Sequence, residues 1–213
     1  MASPQTLSEA ERRLVAVWAA DCAERVLALF EAEAPDDDSP RDAIARTRAY
    51  ARAELDTAGQ IRRRFVAGRR AKDVSATATA AARAAGQAAA IAHMGAHALG
   101  AAAYAAKAAG LAAPERCDAI SKELGWQLRR MSAPVRAALR TLPPIGENRA
   151  GPLGPGMLAS GLLGRIIREL QASLADPAHR LPDAWAIDRA PRLHPLAPDR
   201  RRASSLPGRR QRR

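Results

Sequence analysis

Apolar residues recur along this chain at steps of three and four, and no stretch alternates apolar with polar residues as a half-buried strand would. In the first run Leu7, Leu14, Trp18, Cys22, Val26 and Leu29 make one stripe. Ser8-Glu9-Ala10-Glu11 and Thr6-Leu7-Ser8-Glu9 at its head both fit a capping-box pattern, in which the hydroxyl residue and the glutamate each satisfy the other's free backbone donor, and either would start the helix. This predicts a helix ending near Glu33. Ser39, Pro40 and Asp42 mark a second helix start, with Ile44, Thr47, Ala51 and Leu55 facing inward, and Ile61 and Phe65 continue the apolar face beyond Gly59. Ile120, Leu124 and Leu128, with Trp126 as the large side chain, predict a helix from just after Pro114 to about Met131. Ser132 and Pro134 start a short one that reaches Leu142. The segment from Pro143 to Gly156 is too rich in Pro and Gly for a regular element and reads as a linker or an ordered loop. Leu158, Leu162, Leu163, Ile166, Ile167, Leu170 and Leu174 then predict a last amphipathic helix.

At the centre lies the alanine-rich stretch from Val74 to Ala113, which no proline interrupts. Alanine loses no side-chain entropy in a helix, so the stretch is expected as one long helix although Gly86, Gly95 and Gly100 each weaken it by about 1 kcal/mol. On one wheel Gly86, Ala90, His93, His97, Gly100, Tyr104 and Lys107 share a small, polar face. The expected fold class is all-α: a helical bundle, antiparallel or solenoid-like, around this one long helix. Its domain should span residues 7–175, and residues 176–213, where the pattern dissolves into Pro and Arg, should be a disordered tail.

Composition adds three constraints. Only 3% of residues are aromatic, so a core of Ala, Leu, Val and Ile must gain its stability from close helix packing. Cys22 and Cys117 have no CxxC spacing and read as free thiols in a reducing compartment. The longest uncharged run, Ala84 to Ala106, carries Gln87, His93 and His97 and does not suit a membrane span. Met1 to Glu11 is polar, without a charged-then-apolar leader pattern, so the expected location is the cytoplasm. The net charge is +12, and residues 143–213 alone hold 13 Lys and Arg against 6 Asp and Glu. Such a basic tail attracts polyanions without specificity.

Candidate chemistry is sparse. Asp21 and Arg25 are four apart with the acid first, the favourable order for pairing along a helix. With Arg48, His93, His97 and Tyr104 they form a candidate buried polar cluster in which the histidines bond to Asp21, Arg48 or Glu54. His93 and His97 also have the spacing by which two imidazoles on one helix can share a metal. Met94-Gly95-Ala96 between them lacks the glutamate of a zincin motif, and no third ligand lies on that helix, so no cofactor is expected. Arg62, Arg63, Arg64, Arg69, Arg70 and Lys72 form a basic cluster that reads as a solvated face or a nucleic-acid contact. No GxSxG, P-loop or GxGxxG motif occurs, and the chain is not expected to be an enzyme.

Four segments carry a family resemblance: VWAADCAERVLALFE (Val17 to Glu31), SPRDAIARTRAYARAEL (Ser39 to Leu55), AARAAGQAAAIAHMGAHALGAAAYAAKAA (Ala81 to Ala109) and LGWQLRRMSAPVRAAL (Leu124 to Leu139). Together they resemble the putative immunity proteins of bacterial polymorphic toxin systems, in the immunity-protein-five-like group. The resemblance implies a cytoplasmic helical protein that binds and neutralises a cognate toxin, and it brings no catalytic residues. The tail after Asp176 lies outside it. Toxins that attack nucleic acid are commonly basic, so the blocking face should be acidic. Glu31, Glu33, Asp36, Asp37, Asp38 and Asp42 are the one concentrated acidic group, and Asp36, Asp37, Asp38 and Asp42 are the partner-binding candidates. Two other readings stay open: a basic helical nucleic-acid-associated protein, and a metal-dependent enzyme using His93 and His97.

Overall fold

The computed structural model describes residues 3–56 and 74–185. Among these residues the chain forms seven α-helices and no strand: α1 (Glu9–Glu31), α2 (Ser39–Ala51), α3 (Ala76–Ala90), α4 (His97–Ala112), α5 (Ala119–Arg130), α6 (Ala133–Arg140) and α7 (Gly161–Ala175), with one 3-10 turn at Met157–Ala159. None of them is long and apolar enough to cross a membrane. The basic cluster from Arg62 to Lys72, with Ile61 and Phe65, and the tail from residue 186 onward lie outside the described residues.

Helix α1 begins with the expected capping box. The Glu11 N–H donates to Ser8 Oγ at 3.2 Å, and Glu11 Oε2 accepts from the Ser8 N–H at 2.8 Å. The Ser8 hydroxyl also donates to Glu11 Oε2 at 2.7 Å, and this bond first, then that from the Ser8 N–H, holds the Glu11 carboxyl below its ordinary value. The buried arc of α1 is wider than the expected stripe, because Ala16, Ala19, Ala20 and Ala23 are buried beside Trp18, Cys22 and Val26. Leu14, placed in the stripe by spacing, is 41% exposed. α1 packs against α2, α3, α4 and α6, and the small alanines are what let several neighbours approach it.

The alanine-rich stretch is not one helix. It folds into the hairpin α3–α4, broken at residues 91–96, and contacts between Gln87 and His97 and between Arg83 and Tyr104 show that the two halves run antiparallel. The break is made by the N-terminal segment, which the helical pattern leaves out. The N–H groups of Gly95 and Ala96 donate to the carbonyls of Thr6 and Gln5, each at 3.0 Å, so two donors at the start of α4 are satisfied from outside the helix. Leu7 takes a positive φ of 59° as the chain passes this point. An unbroken helix would leave that segment without its partners. The halves then bury Ala against Ala along their length.

The same segment orders the Pro/Gly-rich region. Gln5 is fully buried, and its amide donates to the Ala150 carbonyl at 2.5 Å and accepts from the Leu153 N–H at 2.9 Å. From the other side Gln171 on α7 accepts from the Ile145 N–H at 3.0 Å and donates to the Pro143 carbonyl at 2.9 Å. This stretch is therefore an ordered loop. α7 buries Leu163, Ile166, Ile167, Leu170 and Leu174, as its pattern predicts.

Packing continues past the expected end of the bundle. His179 Nε2 lies 2.7 Å from Glu169, Trp185 Nε1 donates to Ser121 Oγ at 2.7 Å, and the buried Trp185 ring lies 5.3 Å below the Arg165 guanidinium. Residues 176–185 thus belong to the packed structure rather than to a loose tail. Helical periodicity has no signal for an extended segment anchored by one tryptophan.

Candidate partner-binding surface

Asp21 and Arg25 do not pair along α1; each reaches to another helix. Arg25 Nε meets Glu123 Oε2 on α5 at 2.7 Å. Asp21 takes Arg48 of α2 at 2.9 Å on one oxygen and Arg130, at the end of α5, at 3.4 Å on the other, while Arg48 also pairs with Glu24. Longer reach gives each charge a partner between helices, where a pair along one helix would leave Glu123 buried without its cation. Glu123 is only 5% exposed.

Beneath this surface, Gln127 is fully buried, and its amide donates to Glu123 at 3.1 Å and to the Ala102 carbonyl of α4 at 3.2 Å. Trp18 Nε1 donates to the Gln127 carbonyl at 2.9 Å, which ties α1 to the same turn of α5. Above it, Trp126 lies half-buried near two guanidiniums, with Arg25 4.4 Å and Arg130 5.8 Å from its ring centroid. Cys22 lies buried close by, and its thiol is pushed well above the ordinary value by burial, then by the carboxylates of Glu123 and Asp21. Glu24, Glu123, Trp126 and Arg130 escaped the sequence reading of the site. The signal was the spacing of Glu123, Gln127 and Arg130, three polar residues recurring at steps of four and three on an amphipathic helix.

The remaining members of the expected cluster lie elsewhere. His93 is exposed in the turn after α3, and His97 is the first residue of α4, with Nδ1 2.8 Å from Gln87 Oε1. Because residues 91–96 are not helical, the two imidazoles do not share a helix face. Asp21 and Arg48 serve each other, and Glu54 serves Arg52 at 2.7 Å. Tyr104 is buried on α4 and donates its hydroxyl to Met157 Sδ at 2.9 Å, with the Arg83 guanidinium 5.8 Å from its ring centroid. Among the described residues no group of three or more His, Cys, Asp or Glu is arranged to hold a metal.

The acidic corner between α1 and α2 divides into structural and exposed carboxylates. Glu31 pairs with Arg41 at 2.6 Å. Glu33 accepts from the Ser75 hydroxyl at 2.6 Å and the Ser75 N–H at 2.7 Å, which lowers its carboxyl and fastens the start of α3 to the end of α1. Asp37 Oδ1 accepts from the Ser39 N–H at 2.9 Å, so the turn is closed by Asp37, and Asp38 rather than Ser39 occupies the N-cap position of α2. Asp36, Asp38 and Asp42 point into solvent, Asp42 at 4.0 Å from Arg46.

The corner and Trp126 with its two neighbouring arginines both fall in the span that a comparison with known families recognises. The family model described as Imm-5 like putative immunity protein matches residues 5–134, more than half of the chain. The chain belongs to this family. Membership gives the general kind of function, that of an immunity protein. The matched span begins at the Gln5 strap and runs through α5 into the start of α6, and it leaves α7 and the Trp185 anchor outside. No curated protein and no solved structure matches the chain.

Proposed function

We propose that this chain binds a cognate bacterial toxin in the cytoplasm and neutralises it by occupying its surface, without turnover. The observation that carries this reading is family membership across residues 5–134, a span that includes α1 to α5 and both charged surfaces. A blocking protein needs a preformed face, because rotamers already fixed lose little entropy on docking. The ion pairs that hold Arg25, Arg48 and Arg130 fit that need. Asp36, Asp38 and Asp42 project from the α1–α2 corner into solvent, where they would steer a basic partner and raise its association rate more than its final affinity.

Co-expression with toxin domains of bacterial polymorphic toxin systems, screened one by one, tests the reading. The expected result is restored growth and a stoichiometric complex with a dissociation constant of about 1 nM or tighter. No protection and no complex would overturn it. Binding to duplex DNA that weakens steeply with salt, without toxin binding, would replace it with the nucleic-acid reading.

A further inference from the structure

We propose that Met157 is a reversible oxidation site, whose sulfoxide oxygen is received by the Arg83 guanidinium on the side of the sulfur that the Tyr104 hydroxyl leaves open. Met157 begins the 3-10 turn before α7 and is 64% exposed, whereas Met131 is 7% exposed and Met94 is partly buried. Two donors converge on its sulfur from two helices. Tyr104 of α4, itself buried, donates its hydroxyl to Sδ at 2.9 Å, and Arg83 Nη1 of α3 lies 4.0 Å from the same atom. A thioether is a weak acceptor, so it serves a buried phenol and a charged guanidinium poorly. Among the described residues Arg83 has no carboxylate partner, and its guanidinium lies 5.8 Å from the Tyr104 ring centroid.

An oxygen on the sulfur serves these donors better. A charge-assisted N–H···O bond spans about 2.7–2.9 Å, so the 4.0 Å between Nη1 and Sδ leaves room for one oxygen bonded to sulfur and accepting from Arg83. The oxidant is hydrogen peroxide. A sulfur lone pair attacks one peroxide oxygen, the S–O bond forms as the O–O bond breaks, and the departing hydroxide takes the proton of the transferred oxygen and leaves as water. Sulfur gives up two electrons and the peroxide takes them. Because the Tyr104 O–H already occupies one lone pair, the oxygen adds at the other, and since sulfoxide sulfur is chiral, one epimer forms in excess. Oxidation ordinarily loosens a methionine contact. Here it ties the turn to α3, because a strong acceptor now meets a cation that had none. The tie acts on a segment already seated, for Leu158 is buried and its Cδ1 would lie 3.0 Å from a Cβ built on Gly100 of α4. Methionine sulfoxide reductases, one for each epimer, return the thioether.

The test treats the full chain with hydrogen peroxide and maps its methionines by peptide mass spectrometry. Met157 is expected to oxidise about tenfold faster than the buried Met131. The digested sulfoxide peptide is then offered to each epimer-specific reductase alone, and one enzyme is expected to repair about 80% of it or more. Y104F keeps the ring and its packing but removes the hydroxyl, and it should bring the two epimers close to equal amounts. Hydrogen exchange reads the tie to α3. The amides of residues 157–160 should exchange about threefold more slowly in the oxidised chain than in the reduced one, and R83Q should abolish that difference. M157L, treated in the same way, separates this effect from oxidation of the exposed Cys117 and should show no peroxide-dependent change in these amides. Equal epimers in the native chain, an epimer excess that survives Y104F, or faster exchange at residues 157–160 after oxidation overturns the site.

Discussion

Leu7 fills the space that a side chain on Gly95 would need: a Cβ built there would lie 2.5 Å from Leu7 Cδ1 and 2.9 Å from Leu7 Cβ. Because the clash reaches Leu7 Cβ, rotation of the leucine side chain cannot relieve it. Gly95→Ala should therefore push the N-terminal strap off the α3–α4 turn and cost about 1–3 kcal/mol. Urea unfolding would measure it, and L7A in the same chain should recover part of the loss.

Burial of Glu123 makes the Arg25 contact a matter of stability as well as surface chemistry. Removing the cation leaves a carboxylate 5% exposed with the Gln127 amide as its remaining partner. Arg25 is itself 43% exposed, so R25A should cost less than the loss of a fully buried pair, about 1–3 kcal/mol. Neutralising both partners in R25A/E123Q should cost less than the sum of the single changes. Trp126 fluorescence should shift in R25A, since the guanidinium stacked 4.4 Å from its ring is gone.

These two sites mark how far the sequence reaches. Helix periodicity and the capping box at Ser8 are local, and they survive into the structure with helix starts moved by a residue or so. Local propensity also argued for one helix from Val74 to Ala113, and it lost to a tertiary contact: the carbonyls of Gln5 and Thr6 occupy Gly95 and Ala96 from about 90 residues away in sequence. Of the polar cluster Asp21 and Arg48 do meet, while Arg25 turns to Glu123 and the histidines and Tyr104 find other partners or lie elsewhere. A wheel places Asp21 beside Arg25 but says nothing of Glu123 or Arg130, whose distance along the chain hides that α5 lies against α1. Once the hairpin breaks, the phase linking His93 to His97 is gone as well.

The two thiols should behave differently. Cys22 is buried and its thiol pushed up by burial and by Glu123 and Asp21, whereas Cys117 is exposed. A thiol reagent at pH 8 should label one cysteine quickly and the second only after unfolding. The ordinary thiol value is near 9.0 and the native one lies well above it, so unfolded chains release the proton first as pH rises. The contribution to stability is complete below that ordinary value and declines above it, by at most about 1.4 kcal/mol per pH unit. Melting curves between pH 8 and 10.5 should show this extra slope in the native sequence and lose it in C22A.

Charge at the α1–α2 corner should act on encounter rather than on folding. Asp37 must stay, because its carboxylate closes the turn at Ser39, so the informative variant neutralises Asp36, Asp38 and Asp42 to Asn. Asparagine serves well at the N-cap position that Asp38 holds. Loss of charge near the N-terminus of α2 should then cost about 0.3–1 kcal/mol at low salt, a small shift in melting. Association with a toxin domain that the chain neutralises should slow about tenfold at low ionic strength and lose most of its salt dependence, while dissociation stays near the native rate. A basic toxin approaching this corner feels the three carboxylates before any contact forms, and added salt screens them over about 10 Å at 0.1 M, so the two chains should converge in rate as salt rises. Equal association rates at low salt would remove the corner from the binding path, since Glu31, Glu33 and Asp37 are already held by Arg41, Ser75 and Ser39.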